Sequence, residues 1–422
     1  MGSISSNLPV TEKNIKDYET ETFKAGISEM QGWRSNMEDA SLIHLAKIQL
    51  QNFKTGDLGN DDIKRNESSS DDSDGDISKN ISRKVARSIY NLDERTMKTI
   101  LKENSIEYNL SIIGVFDGHG GSFVSRFVAE NFITVFNNSW TKLCLKQLKT
   151  SKIDENENTN KFIRVNQFTN INSNNSNSDI YDVVKITSDK LKQAIIETFL
   201  DLDQLLRTKE CEFIVNEYKH FKRDNLYLNN INDLLAKDDI ELSSEENFAY
   251  HMGTTANVVF IYENYLIVAN TGDSKTVLYS DGKAIELNTE HKTSTPGESE
   301  RILKSGYSIH NNRVDGKLNL TRAIGDLQFK NRKLRTTEQA VTPYPEITTY
   351  ELNENSEFLI CACDGIWDCV EPLKLCEYIK KEIEKGINLS KIAAQIEDMI
   401  LSKTNNSPIG TDNMTCVILQ FK

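Results

Sequence analysis

The chain has 422 residues and carries 63 acidic against 50 basic side chains, a formal net charge of −13. This balance argues against nucleic acid as a partner, because binding a phosphate backbone requires clustered basic residues. Hydrophobic residues make up 38% of the chain and cluster in short runs, so a sizeable core is possible. None of these runs approaches the ~20 apolar residues that cross a bilayer.

Residues 1–22 are predicted to form a flexible polar tail. The first six residues, MGSISS, fit the pattern for N-myristoylation at Gly2, and the alternative is a chance match. A single acyl chain gives only weak and reversible membrane binding. Any membrane association through Gly2 is therefore expected to be weak.

Apolar runs with β-branched residues predict strands, and apolar residues at helical spacing predict helices. The predicted strands are Phe23–Met30, Leu42–Leu45, Leu110–Phe116, Thr255–Tyr262, Tyr265–Thr271, Thr276–Tyr279, Glu346–Leu352, Phe358–Cys363 and Met414–Phe421. The predicted helices cover residues 123–135, 191–206, Pro372–Ile383 and Leu389–Leu401. Ser280–Lys283 is predicted to be a hairpin turn. Many antiparallel-looking strands and a few long helices indicate two sheets covered by helices.

Three polar stretches interrupt this pattern near residues 53–95, 150–180 and 207–247. The first contains the acidic, serine-rich segment Asn66–Asp76, which lacks the large apolar residues needed to form a core. All three are interpreted as insertions into one folded region that spans residues 23–422. The serines of the first insertion are either kinase sites or part of an inert solvated loop.

The seven cysteines are widely spaced and form no CxxC pair, and Cys361 and Cys363 lie inside an apolar run. This distribution favours reduced core thiols over disulfides and argues against a zinc site. We therefore expect a cytoplasmic and/or nuclear protein.

Several predicted strands have a carboxylate at or just beyond one end. The stretch Val115–Gly121 (VFDGHGG) is the clearest case, because a buried strand ends there on an aspartate, a glycine and a histidine. Carboxylates that converge on one rim repel each other unless a cation neutralises them, and hard oxygen donors select Mg²⁺ or Mn²⁺. This pattern predicts an oxygen-ligated metal site for phosphoryl chemistry. The carboxylates are those of Glu38, Asp39, Asp117, Asp273, Asp364, Asp368 and Asp412.

Eight motifs occur in an order that resembles the metal-dependent Ser/Thr protein phosphatases (PPM, or type 2C protein phosphatases). They extend from about residue 22 to the end of the chain, apart from the insertions. Eight motifs in one order are far more specific than any single motif. The motifs are MQGWRSNMEDA (30–40), VFDGHGG (115–121), GTTA (253–256), ANTGDS (269–274), LTRAIGD (320–326), TEQAVTPYPEI (337–347), CDGIWD (363–368) and GTDNMT (410–415).

The resemblance implies an α+β fold, a four-layer α-β-β-α sandwich with two central antiparallel sheets. It makes residues 23–422 a phosphatase catalytic domain that acts on phosphorylated protein substrates. We expect the protein to be a monomer. It implies two Mg²⁺ or Mn²⁺ ions in a cleft at one edge of the sheets, and a weaker third ion. By similarity the ligands are Asp117, the Gly118 carbonyl, Asp364 and Asp412, with help from Glu38 and Asp39, and with Asp273 and Asp368 at the third position.

The resemblance also implies a mechanism in which a metal-bridging hydroxide attacks phosphoserine or phosphothreonine in line. Arg34 would bind two phosphate oxygens with its planar guanidinium, and His119 would protonate the departing oxygen as general acid. Residues 298–319 correspond to a flap beside the cleft. The sequence departs from the family pattern at Lys275, where arginine is usual, and at the EHKT segment 290–293, where the family has Asp-His-Lys-Pro.

The alternatives to an active phosphatase are an inactive relative and a metal hydrolase of another class. A catalytically inactive relative would act as a binding or scaffold protein, but such relatives usually lose a bridging carboxylate, and Asp117, Asp364 and Asp412 are all present together with Arg34 and His119. A metal hydrolase of another class would require motifs that the chain lacks. The sequence therefore favours an active Ser/Thr phosphatase.

Overall fold

A computed structural model describes residues 8–45, 48–51, 105–108, 110–153, 177–212 and 248–422. The Gly2 pattern and the predicted insertion at 53–95 lie outside these residues. So do most of the insertions at 150–180 and 207–247.

The structure contains the following strands and helices in chain order. The strands are β1 (Val10–Glu19), β2 (Phe23–Gly32), β3 (Ala40–His44), β4 (Ile48–Gln51), β5 (Ser105–Tyr108), β6 (Leu110–Phe116), β7 (Gly118–His119), β8 (Gly253–Thr254), β9 (Ala256–Tyr262), β10 (Tyr265–Thr271), β11 (Lys275–Ser280), β12 (Lys283–Glu286), β13 (Ile309–His310), β14 (Arg313–Val314), β15 (Ile324–Gly325), β16 (Glu346–Glu351), β17 (Ser356–Ala362) and β18 (Met414–Phe421). The helices are α1 (Phe123–Ile153), α2 (Asn177–Leu205), α3 (Glu298–Lys304), α4 (Asp364–Trp367), α5 (Pro372–Glu384) and α6 (Leu389–Ile400).

Two antiparallel sheets form the centre of the molecule. One has six strands in the order β1-β2-β18-β17-β11-β12, and the other has five in the order β16-β10-β9-β6-β3. Their facing sides share one core, in which Ile113, Val115 and Val259 of the five-stranded sheet pack with Ile360 and Val417 of the six-stranded sheet. Every residue of β6 is buried, as its apolar sequence predicts for a central strand covered on both faces.

Helices cover the outer face of each sheet. The long helices α1 and α2 pack on the five-stranded sheet through a second core that includes Phe127, Phe132 and Phe199. The short amphipathic helices α5 and α6 place Ile379, Ile392 and their neighbours against the six-stranded sheet. The layers therefore follow the order α-β-β-α, and the predicted α+β sandwich is confirmed.

The predicted tail is wrong for residues 10–19. They form β1, which pairs antiparallel with β2 from Val10–Gly32 to Glu19–Lys24. The sequence VTEKNIKDYE is mostly polar because β1 is an edge strand whose side chains are largely exposed, so that its polar composition resembles that of an unstructured tail.

The hairpin between β11 and β12 is confirmed. Ser280 pairs with Lys283, and the two residues between them, Asp281 and Gly282, have φ of 53° and 71°. Positive φ at both central residues is the geometry of a type I′ turn, for which Asp-Gly is a preferred sequence.

Candidate metal centre and active site

Asp117 lies directly after β6 and is fixed there by its own backbone. Its N–H donates to Thr255 Oγ1 at 3.1 Å, and its carbonyl accepts from the Thr255 N–H at 2.8 Å. Gly118 follows against the backbone of Glu38, where an added Cβ would stand 2.1 Å from the Glu38 carbonyl oxygen. A side chain at residue 118 would therefore separate Glu38 from Asp117.

Three carboxylates from different parts of the chain meet beside this strand end. Asp117, Asp273 and Asp364 each offer an oxygen, and these oxygens all lie within 4.8 Å of one another. Asp273 comes from the turn between β10 and β11, and Asp364 is the first residue of α4. The cluster unites residues that are up to 247 positions apart in sequence, which is the difference between 364 and 117.

Burial and mutual repulsion disfavour ionisation of these carboxylates. Burial, followed by the charges of Asp364, Asp39 and Asp273, raises the pKa of Asp117 well above its usual value. Burial and the Asp273 charge do the same to the pKa of Asp364. Burial also raises the pKa of Asp39 to about 7, although its Oδ2 accepts a 2.8 Å hydrogen bond from Thr415 Oγ1.

This donor set fits a hard divalent cation. Its side-chain donors are carboxylate oxygens, and a bound cation would remove the repulsion that raises their pKa values. The chain thus carries, at the rim where the two sheets meet, a cluster of carboxylates that could hold a metal ion.

Arg34 and Asp412 form an ion pair on another side of the site, between Arg34 Nη2 and Asp412 Oδ2. Asp412 Oδ1 accepts from the Asn413 N–H at 2.8 Å. The Asn413 side chain then donates to the Gln31 carbonyl at 2.7 Å and accepts from the Glu38 N–H at 2.9 Å. Asn413, whose role the sequence did not predict, thereby holds the segment of Arg34 and Glu38 against the start of β18.

His119 contacts a carboxylate that sequence reasoning missed. Its Nε2 lies 2.7 Å from Oδ2 of Asp326, whose side chain is 2% exposed. Burial alone would lower the pKa of His119, but the Asp326 charge and hydrogen bond outweigh it and raise that pKa. A Cβ on Gly253 would lie 2.2 Å from Asp326 Oδ2 and 2.7 Å from His119 Nε2, so glycine leaves room for the pair. Asp326 is the last residue of the motif LTRAIGD, and this motif is the sequence signal from which a role for Asp326 could have been predicted.

The remaining predicted ligands lie at the margins of the cluster. Burial raises the pKa of Glu38, and the positive charges of His119 and Arg34 oppose this shift. Asp368 is exposed, and its pKa is raised by partial burial against the opposing charge of Lys292. Sequence reasoning gave Lys292 no role, but its Nζ lies 3.0 Å from Asp273 Oδ2.

The segment predicted as a flap contains α3 and the β13–β14 hairpin. Glu298 joins it to the segment just before β15 through an ion pair with Arg322 Nη2 at 2.8 Å, and Glu298 also pairs with Arg301 Nη1 of α3 at 2.7 Å. Burial opposes ionisation of Glu298, but the hydrogen bond and charge of Arg322, together with the Arg301 charge, lower its pKa. The flap thus has a buried, charged anchor next to the segment that carries Asp326.

The molecule is a four-layer α-β-β-α sandwich with a carboxylate cluster at the sheet edge that could hold a divalent cation. The family model described as Protein phosphatase 2C matches residues 190–408. "Probable protein phosphatase 2C 21" of Arabidopsis thaliana is 30% identical over 427 residues, covering 100% of this chain and 93% of its own length. "Probable protein phosphatase 2C 11" of Oryza sativa subsp. japonica is 29% identical, with 99% and 90% covered.

A solved structure supports the fold. The serine-threonine phosphatase 2C from Toxoplasma gondii superposes with a TM-score of 0.56 at 15% identity, covering 97% of this chain and 100% of that one. The chain belongs to the protein phosphatase 2C family. It is a metal-dependent serine/threonine protein phosphatase, and its substrates are phosphoproteins. Among the described residues, no helix is both long and apolar enough to span a membrane.

Proposed function

We propose that Asp117, the Gly118 carbonyl, Asp364 and Asp412 bind two Mg²⁺ or Mn²⁺ ions with which the protein hydrolyses phosphoserine and phosphothreonine. Glu38 and Asp39 assist, and Asp273 and Asp368 contribute to a weaker third position. The observation that carries the proposal is the meeting of the Asp117, Asp273 and Asp364 oxygens within 4.8 Å. Bound ions of this kind supply an activated water and neutralise charge on the phosphoryl group.

Arg34 is proposed to orient the phosphoryl group. Its guanidinium pairs with Asp412, and its backbone carbonyl accepts a hydrogen bond from Gln31 Nε2 at 2.9 Å. A planar guanidinium can donate to two phosphate oxygens at once, which an ammonium cannot do in the same geometry.

His119 is proposed to protonate the oxygen of the departing serine or threonine. A general acid must carry its proton at the working pH, and the contact with Asp326 favours the protonated imidazole. His119→Ala should therefore lose about 10²–10⁴-fold in turnover of a phosphothreonine peptide. The same variant should lose much less on an aryl phosphate, whose leaving group needs no proton. An equal loss on both substrates would contradict the role of His119.

The test of the whole proposal is hydrolysis of a phosphothreonine peptide in the presence of Mn²⁺. We expect turnover that disappears with EDTA and collapses in Asp117→Ala and Asp364→Ala, while circular dichroism shows both variants folded. Full turnover in EDTA would exclude the proposed metal mechanism.

The subcellular location and the oligomeric state of the protein are part of the same proposal. We propose that the protein is located in the cytoplasm and/or nucleus, because cysteines of the described residues, including Cys361 and Cys363, are free. We also propose that it is a monomer. Gly2 is proposed as an acylation site that adds weak membrane binding. Mass spectrometry of the N-terminus and membrane fractionation of Gly2→Ala test this last point.

A further inference from the structure

Lys292 brings a positive charge to the acidic cluster from within the chain. Its Nζ lies 3.0 Å from Asp273 Oδ2, and Asp273 is one of the three carboxylates that meet within 4.8 Å. The Asp273 side chain is only 2% exposed, so the pair is shielded from solvent on the aspartate side. An ion pair shielded in this way is screened less than one on the surface.

The backbone fixes Lys292 to the turn that carries Asp273. The His291 N–H donates to the Gly272 carbonyl at 2.9 Å, and the Gly272 N–H donates to His291 Nδ1 at 3.2 Å. On the other side of Lys292, its N–H donates to Thr295 Oγ1 at 3.2 Å. Lys292 and Asp273 are therefore positioned as one unit, and the contact does not depend only on the flexibility of a long side chain.

A second lysine, Lys275, lies nearby and pairs with glutamates outside the three-carboxylate cluster. Lys275 Nζ lies 3.0 Å from Glu290 and 3.2 Å from Glu286, whereas Lys292 Nζ is 3.9 Å from Glu290. Lys292 is therefore closer to Asp273, at 3.0 Å, than to Glu290. Lys275 and Glu290 are two of the positions at which this sequence departs from the family pattern.

Lys292 carries a full positive charge at neutral pH, because an ordinary lysine side chain has a pKa of about 10.4. At 3.0 Å from Asp273 Oδ2, this charge occupies one side of the acidic cluster.

We infer that the Lys292 ammonium occupies the position of a cation next to Asp273. A divalent ion can then be coordinated by Asp273 only if it displaces this ammonium group. This inference rests on the proposed metal function. It gives a physical reason for an unequal set of sites. An ion held by Asp117, Asp364 and Asp412 would need no carboxylate that pairs directly with Lys292, whereas an ion at Asp273 would have to displace the lysine and would bind more weakly for that reason.

The test measures Mn²⁺ binding directly, by electron paramagnetic resonance of free Mn²⁺ and by calorimetry, in the wild type and in Lys292→Met. Lys275→Met is the matched control, because it removes a neighbouring lysine that does not contact the cluster. Lys292→Met should bind Mn²⁺ at the weak position about tenfold or more tightly, because a positive charge about 3 Å from a ligand has been removed. Lys275→Met should match the wild type within about twofold.

A double variant, Lys292→Met with Asp273→Asn, identifies the ligand. The gain in Mn²⁺ affinity should disappear, because the freed carboxylate is absent. If Lys292→Met binds Mn²⁺ as the wild type does, or if Lys275→Met shows the same gain, the inference is overturned. Lys292→Gln, which keeps a polar side chain without the charge, replaces Lys292→Met if the latter does not fold.

The experiment separates this inference from the proposed function. If the wild type shows no tight Mn²⁺ site, or if Asp117→Ala leaves the tight sites intact, the proposed metal assignment fails. If the tight sites behave as proposed but Lys292→Met leaves the Mn²⁺ affinity of the weak site unchanged, only the inference about Lys292 fails.

Discussion

Asp326 supports His119 from a backbone conformation that few non-glycine residues adopt. Its φ is 50°, in the left-handed region, and its N–H is held by the Met252 carbonyl at 2.8 Å. Aspartate tolerates this region better than most residues do, so one side chain satisfies both the turn and the contact with His119. The carboxylate is thereby aimed at the imidazole before any substrate binds.

We predict that Asp326→Asn shifts the pH dependence of phosphopeptide turnover. His119 has a raised pKa, so its acid form is present below that pKa and is lost as pH rises through it. Removing the Asp326 charge lowers the pKa, although Glu38 and Asp273 still favour the imidazolium. The alkaline decline of kcat should therefore begin at lower pH, and kcat should fall by about 10-fold or more at pH 8. An aryl phosphate serves as the control, and an unchanged alkaline limb would contradict the prediction.

At the level of residues, the sequence predicted the carboxylates that follow strands but not the residues that hold them. Asp117, Asp273 and Asp364 stand at strand ends, where a local pattern is sufficient to identify them. Asp326 and Asn413 act on groups more than 200 positions away, at His119 and Glu38, so no local spacing indicates their partners. The roles of all these residues in metal binding and catalysis stay predictions.

At the level of elements, a buried ion pair joins α2 to β15. Asp203 of α2 accepts from the Gly325 N–H at 2.9 Å and pairs with Lys330 Nζ, which is 0% exposed and also donates to the Ala323 carbonyl at 2.8 Å. Asp326 follows Gly325 directly. The helix layer and the backbone next to His119 are thus connected through charged side chains.

We predict that Asp203→Asn destabilises the protein by about 3–5 kcal/mol, because it leaves the Lys330 ammonium buried without its counter-ion. The double variant Asp203→Asn with Lys330→Met removes both charges and should recover much of that loss. Thermal and urea unfolding measure both effects. A single variant as stable as the wild type would show that Lys330 finds another partner or that solvent enters the site.

A second buried carboxyl joins α6 to β2. Glu397 is 0% exposed and accepts from Ser28 Oγ at 2.6 Å. Burial raises the pKa of Glu397 to about 8, against the opposing effects of the Ser28 hydrogen bond and the Lys13 charge. The folded protein therefore retains this proton at a pH where the unfolded chain has released it.

We predict that Glu397 makes stability fall as pH rises from about 4.5 to about 8, by up to about 1.4 kcal/mol for each pH unit. The sign follows from the raised pKa, because the folded state binds more protons than the unfolded state in this window. Glu397→Gln cannot titrate and should give a flatter dependence of Tm on pH. Wild-type and variant curves with the same slope would contradict the prediction.

The edge strand β1 shows that hydrophobic patterns in the sequence do not reveal an exposed strand. Central strands such as β6 and β9 are apolar because both faces are covered, and the sequence predicted them with boundaries close to those observed. The exposed strand β1 has few apolar residues, and its structure depends on pairing with β2. The short strands of the flap likewise depend on tertiary contacts, and the sequence predicted none of them.

At the level of the whole molecule, the acidic cluster joins the two sheets. Asp117 follows β6 of the five-stranded sheet, and Asp364 follows β17 of the six-stranded sheet, while Asp273 lies in the turn that connects one sheet to the other. An ion held by these residues would crosslink the sheets at one rim. Without an ion, the same carboxylates repel each other there.

We predict that Mg²⁺ raises the Tm of the protein, and that the increase is larger at pH 8 than at pH 6. One site filled at about 100 times its Kd contributes about 2.7 kcal/mol. In EDTA the folded state holds protons on Asp39, with a pKa of about 7, and on Asp117 and Asp364, whose pKa values lie well above normal. The stability of the metal-free protein therefore falls as pH rises through this range.

Metal binding requires ionised carboxylates and competes with these protons, so the metal-bound protein lacks this loss and the gap between the two curves widens with pH. Glu397 titrates in the metal-free and in the Mg²⁺-bound protein alike, so its contribution cancels when the two Tm values are subtracted. The Mg²⁺-induced change in Tm therefore reports on the acidic cluster. Differential scanning calorimetry at pH 6 and pH 8, with EDTA or Mg²⁺, measures it, and Asp364→Asn should lose most of the increase. An increase that is equal at the two pH values would mean that the carboxylates are already ionised in the metal-free protein, and that their repulsion is relieved in some other way.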